Sequence, residues 1–182
     1  MRRRWITVLS VVLAFLIVGQ LWAPVASSLP RAPLPLPGQP HPEPHPKPSY
    51  PPLPEDSGSG RRIVYAVDQQ RLWIVEGDET VSGSWLVSGK EGTPRPGTYS
   101  IYSRSRWARS GNVRMEFMLR FVRTGRRAIG FHAIPVDRKG RPIQSDDELG
   151  QPRSHGCVRQ RRSDAEHLWN WSPDGTTVRV TD

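Results

Sequence analysis

The sequence predicts a mostly β domain with one helix near its C-terminal end, and three observations predict it. Nineteen prolines and sixteen glycines among 182 residues break the chain too often for a helical bundle. Short apolar runs recur between polar turns, at strand length rather than helix length. A helix is well signalled at one place, Ser163-Asp164-Ala165-Glu166, where a serine stands three residues before a glutamate and Leu168 follows.

Taken in chain order, residues 1–29 read as an export segment. Arg2, Arg3 and Arg4 precede an apolar stretch from Trp5 to Ala23, and no charge follows until Arg31. Arginines ahead of an apolar run hold the N-terminus in the cytoplasm and send the rest across the membrane. Trp5 and Trp22 bracket the run, and at about 1.5 Å per residue they stand about 26 Å apart. That approaches the hydrocarbon thickness of a bilayer, so an uncleaved single-pass anchor in the cell membrane is expected. Cleavage after Val25-Ala26-Ser27, with secretion, is the alternative.

Residues 30–60 read as a Pro-rich disordered tether. Twelve of the twenty-five residues from Pro30 to Pro54 are proline, which lacks an N–H and fixes φ. An extended polyproline segment at about 3.1 Å per residue reaches roughly 80 Å. His41 and His45 lie in this tract; two histidines on a spacer make a poor metal site, so the spacer reading is preferred. Asp56-Ser57-Gly58-Ser59-Gly60 reads as a flexible joint.

Residues 61–182 form the folded domain. Ile63 to Val67 and Leu72 to Val75 flank Asp68-Gln69-Gln70, which predicts a hairpin. Further strands are expected at Val81 to Val87, Thr98 to Tyr102, Met115 to Val122, Ala128 to His132 and Thr177 to Val180. The helix at Ser163 should stop near Pro173. The formal net charge is +9, with arginine far ahead of lysine. Such a charge suits polyanionic partners, but the arginines are scattered and no nucleic-acid-binding motif accompanies them, so nucleic acid is not an expected partner.

Chemistry concentrates around the single cysteine, Cys157, in Leu149-Gly150-Gln151-Pro152-Arg153-Ser154-His155-Gly156-Cys157-Val158-Arg159. One cysteine makes no intramolecular disulfide, so its thiol is either a small buried hydrophobe or a reactive group. A thiol attacks as thiolate and needs a histidine or a positive field beside it. Two histidines are available, His155 two residues away and His132 at the end of an apolar strand. An ion pair with His132 would keep the thiol reactive well below its ordinary pKa of about 8.5. Gly156 allows close backbone approach, amides around Gly156 and Cys157 could face an oxyanion, and Arg159 adds positive charge. A zinc site of His132, His155 and Cys157 has fitting ligand types but poor spacing, and no metal is expected.

These motifs resemble the L,D-transpeptidase catalytic domain family. The resemblance rests on Ser154-His155-Gly156-Cys157-Val158-Arg159 after Leu149-Gly150, on Phe131-His132 upstream, on Val87-Ser88-Gly89-Lys90 before Thr93-Pro94-Arg95-Pro96-Gly97-Thr98-Tyr99, and on Met115 to Phe121. It covers nearly all of residues 61–182, with the motifs in the family's order. It implies an L,D-transpeptidase-like β-sandwich or barrel with a short helix after the cysteine. It further implies Cys157 as nucleophile, His132 as its base, and the Ala133 carbonyl orienting that base. His155, Gly156 and the Cys157 backbone would form the oxyanion pocket, supported by Ser154 and Arg159. Phe117 and Phe131 are possible substrate-lining residues. The implied partners are peptidoglycan tetrapeptide stems as donor and acceptor, joined through a Cys thioester into 3→3 cross-links without a cofactor. With water as acceptor the chain would be an L,D-carboxypeptidase.

A sortase-like transpeptidase would share the order His, Cys, Arg, but its arginine lies further from its cysteine. A non-catalytic wall-binding module would have no need of both His132 and Cys157. The polar insertion Val136 to Glu148 reads equally as a lid, a specificity loop or surface decoration. Trp73, Trp85, Trp107, Trp169 and Trp171 are expected mostly in the core, with a glycan surface as the alternative for Trp107 among its arginines.

Overall fold

The computed structural model describes residues 49–125 and 127–182. The anchor expected at 1–29, and the tether up to residue 48, lie outside the described residues. Among those described, no helix is long and apolar enough to cross a membrane.

Among the described residues, nine strands form two sheets. The first has the order β3 (Val81–Leu86), β2 (Arg71–Val75), β1 (Arg62–Ala66), β9 (Thr177–Thr181) and β4 (Gly97–Ser100). The second has the order β5 (Ser103–Ser110), β6 (Val113–Thr124), β7 (Arg127–Ala133) and β8 (Val158–Gln160). The hairpin expected around residues 68–70 is present as the antiparallel β1–β2 pair, with Tyr65 opposite Leu72. The sheets pack through one core that includes Ile63, Tyr65, Leu72 and Val178 from the first, and Leu119, Phe121, Phe131 and Val158 from the second. Phe121 stacks on Phe131 at 4.5 Å, and Tyr65 meets the Phe131 ring edge-on at 6.1 Å. The sheet faces are thus joined through aromatic contact, in the mostly β architecture the sequence predicts.

Two strands were missed by sequence reasoning, for opposite reasons. β5 (SRSRWARS) has exposed or half-exposed positions throughout and carries no apolar alternation to read. β8 is three residues long and is held by pairing with β7 rather than by its own pattern. The helix, α1 (Arg162–Trp171), starts one residue before the expected serine, with Arg161 at its N-cap and no side-chain cap. Arg162 pairs there with Glu116 of β6 at 2.6 Å, a tertiary contact that the local sequence does not signal. A backbone-to-glutamate cap occurs instead at Ser145, whose N–H donates to Glu148 Oε2 at 2.9 Å.

The end of the Pro-rich segment also differs from a free tether. Trp73 Nε1 donates to the Pro51 carbonyl at 2.9 Å, Tyr50 Oη donates to the Ser82 carbonyl at 3.2 Å, and Leu53 packs on Val64, Ala66, Trp73 and Val75. Ser57, in the expected flexible joint, is buried, and its carbonyl accepts from Arg62 Nε at 2.6 Å. Proline forbids a ladder but leaves its carbonyl free to accept, so residues 50–57 strap the outer face of the first sheet.

Candidate active site

β7 and β8 run parallel, pairing Phe131 with Val158, His132 with Arg159 and Ala133 with Gln160. Phe131 and Val158 point into the core, so strand alternation puts His132 and Arg159 together on the opposite face. Cys157 stands one residue ahead of β8, where its thiol donates to the Ala128 carbonyl at 3.6 Å, with the Gly130 backbone beside it. Gly130 is required there by crowding. A Cβ at that position would sit 2.5 Å from the Leu119 carbonyl oxygen and 2.8 Å from Met118 Sδ.

His132 is 2% exposed, and its Nδ1 lies 2.7 Å from the Ala133 carbonyl oxygen. A carbonyl only accepts, so Nδ1 carries the proton and Nε2 keeps its lone pair. Burial holds the imidazole pKa down at about 4 despite that hydrogen bond, and the charge of Arg159 lowers it further. Burial pushes the Cys157 thiol up, outweighing the Gly130 backbone and the charges of Arg120 and Arg159, which draw it down. Both shifts run against the preformed thiolate–imidazolium pair expected from the sequence. Each favours the neutral form, because burial withdraws water that would solvate the charge.

The remaining predicted residues fall on both sides of this pair. Ser154 N–H donates to the Gly89 carbonyl at 2.9 Å, and Ser154 Oγ accepts the Gly156 N–H at 3.0 Å. The motif loop is thereby tied to the Ser88-Gly89-Lys90 turn. Gly156 has a φ of +150°, which side-chain-bearing residues avoid, while a Cβ there would meet nothing within 4 Å. Its glycine serves backbone conformation, not the close approach expected within the chain. His155 is exposed, and its side chain makes no hydrogen bond or ion pair among the described residues. Phe131 is fully buried in the core, and Phe117, at 1% exposure, packs on Ala133, Ala165 and Trp169. Both are corrected from substrate-lining to core residues, since apolar rings beside the motif were needed to join the sheets and to seat α1.

Sequence reasoning missed Ser88 and Gln144 as site residues. Ser88, fully buried, exchanges both backbone hydrogen bonds with Arg159, at 2.8 and 2.9 Å. Gln144, inside the polar insertion, is 4% exposed and reaches both Ser88 and Arg159. A glutamine among Ile143, Ser145 and Asp146 gave no signal of burial. A cavity of about 890 Å³ opens between the insertion and the β5–β6 hairpin, bounded by Trp107, Arg114, Glu116, Ile143 and Arg162. It extends to Ala133, the neighbour of His132, but neither His132 nor Cys157 lines it.

Residues 60–180 match the model of the L,D-transpeptidase catalytic domain (YkuD) family. YciB of Bacillus subtilis (strain 168), a curated relative named for the same activity, is 27% identical over 123 residues. The match covers 63% of this chain and 62% of YciB, so this chain spans less than two thirds of that relative. The structure of an L,D-transpeptidase from Xylanimonas cellulosilytica is 26% identical with a TM-score of 0.54, over 72% of this chain and 64% of that one. L,D-transpeptidase 3 of Mycobacterium tuberculosis, solved with a faropenem-derived adduct, shares the fold at 20% identity and a TM-score of 0.53, over 69% and 61%. With the match running through both sheets and the Cys157 loop, this chain belongs to the L,D-transpeptidase catalytic domain family.

Proposed function

We propose that this chain is a peptidoglycan L,D-transpeptidase whose nucleophile is Cys157 and whose general base is His132. The observation that carries the reading is the fixed tautomer of His132. Nδ1–H is committed to Ala133, so Nε2 is left as the acceptor, on the face His132 shares with Arg159, two residues after Cys157. The thiol proton passes to Nε2 as Sγ attacks the carbonyl of the third residue of a tetrapeptide stem. The imidazolium then protonates the departing D-alanine amine, leaving a thioester on Cys157. An amine from a second stem attacks the thioester, loses its proton to His132 and frees the thiol, which gives a 3→3 cross-link. Because burial favours the neutral form of both groups, charge develops only during attack. The Gly156 amide is already bonded to Ser154, so the oxyanion would draw on the amide of Cys157.

The cavity beside Ala133 supports a seat there for one of the two stems. An N-terminal membrane segment with this domain outside the cytoplasm fits a substrate in the cell wall. Mass spectrometry after adding a carbapenem tests the nucleophile. The expected result is one covalent adduct on the wild-type protein and none on Cys157→Ala. An adduct that persists in Cys157→Ala overturns the assignment. Muropeptide analysis with tetrapeptide stems then separates cross-linking from hydrolysis: dimers support 3→3 transfer, and tripeptide alone means that water is the acceptor.

A further inference from the structure

The insertion at residues 136–148 is built into the site rather than laid over it. It turns tightly at Asp137, whose carboxylate takes the N–H groups of Lys139 and Arg141, and it pairs Val136 with Arg114 of β6. Its chain then brings Gln144 beneath the surface. Gln144 Nε2 donates to Ser88 Oγ at 2.8 Å and to the Glu148 carbonyl at 3.2 Å. Its Oε1 accepts from Arg159 Nη1 at 3.0 Å. One amide therefore joins the insertion, the Ser88 turn and the strand that follows Cys157.

The choice of partner for Arg159 is informative. A half-buried guanidinium is ordinarily paired with a carboxylate. Arg159 forms no ion pair among the described residues, although the insertion carries three acids close to Gln144 in sequence. Glu148 pairs instead with Arg153 at 2.7 Å, and Asp146 with Arg161 at 2.9 Å. A neutral amide holds the guanidinium in place without cancelling its charge.

We propose that Gln144 is a positioning residue, which fixes the uncompensated guanidinium of Arg159 on the face it shares with His132, two residues after Cys157, and keeps carboxylates away from it. The charges that bear on the thiol are those of Arg120 from β6 and Arg159 from β8, with the Gly130 backbone of β7 beside it. The charge of Arg159 favours the thiolate as it forms and disfavours a proton resting on His132. Gln144 acts on the reaction through Arg159 and not by touching substrate.

The inference rests on Cys157 as nucleophile, but its test needs no substrate. The rate of Cys157 alkylation by iodoacetamide is followed against pH on the full-length protein, for wild type, Gln144→Glu and Gln144→Met. Gln144→Glu is nearly isosteric and introduces the carboxylate that the structure avoids. It should move the profile to higher pH by about one unit, so that alkylation at pH 8 slows about tenfold. Gln144→Met should move it the same way by less. If Gln144→Met does not fold, Ser88→Ala removes one anchor of the amide and should give the smaller shift. A profile unchanged in Gln144→Glu, or slowed equally at every pH, overturns the proposal. Failure of the carbapenem adduct would instead overturn the nucleophile, so the two failures are distinguishable.

Discussion

The two sheets use their faces differently. At its centre the first sheet is buried on both sides: every residue of β1 is buried, all but Arg62 apolar or aromatic, as are Leu72 to Val75 of β2. One face meets the core, and the other is covered by Leu53 and the chain around Pro51. The second sheet gives one face to the core and places His132, Arg159 and the approach to Cys157 on the other. Its strand β8 alternates, with Val158 and Gln160 buried and Arg159 half-buried between them, and the buried His132 and Gln144 side chains are tied by specific hydrogen bonds. Two-sided apolar burial makes a rigid platform, and one-sided burial leaves room for chemistry.

If that division holds, changes on the second sheet should alter rates and changes on the first should alter stability. The largest effect is expected for His132→Gln, which removes the proton acceptor. Acyl transfer in a stem-peptide assay should fall about 10³-fold, equivalent to about 4 kcal/mol of transition-state stabilisation. Trp73→Ala, on the first sheet, should cost about 3–5 kcal/mol in a denaturant titration. The folded fraction should keep the wild-type pH profile of alkylation, and a shifted profile would break the comparison.

Acid should expose the buried imidazole. The folded pKa of His132 is about 4, against 6.5 for an unperturbed histidine. Between those values the unfolded chain binds a proton that the folded one refuses. The contribution to stability is complete above pH 6.5 and is lost as pH falls towards 4, on the order of 3 kcal/mol. Unfolding measured at pH 7 and pH 4.5 should show this loss in the wild type and a smaller one in His132→Gln.

Free Cys157 should alkylate slowly at neutral pH, with a midpoint above that of an ordinary thiol, because burial raises its pKa. A midpoint near 6 would restore the preformed ion pair. The smallest effect is expected for Trp73→Phe, which keeps most of the apolar burial but removes the hydrogen bond to Pro51. It should cost about 1 kcal/mol and leave the alkylation profile unchanged.

Composition, turn residues and apolar runs determined the mostly β class, the first hairpin and the presence of a helix after the cysteine. These are local signals, carried by Ile63 to Val67, Leu72 to Val75 and the residues around Ser163. The motif around Cys157, with His132 upstream, also pointed to the family that residues 60–180 match. Only tertiary structure decided which polar residues are buried and what each one touches. Phe131 reads as a residue beside the motif, but packing against Tyr65 and Phe121 makes it core. Gln144 reads as part of a polar loop, but pairing of Val136 with Arg114 carries it to Arg159. The resting charge of His132 and Cys157 was likewise beyond the sequence. A side chain's pKa depends on how much water the fold leaves around it, and contacts distant along the chain set that amount.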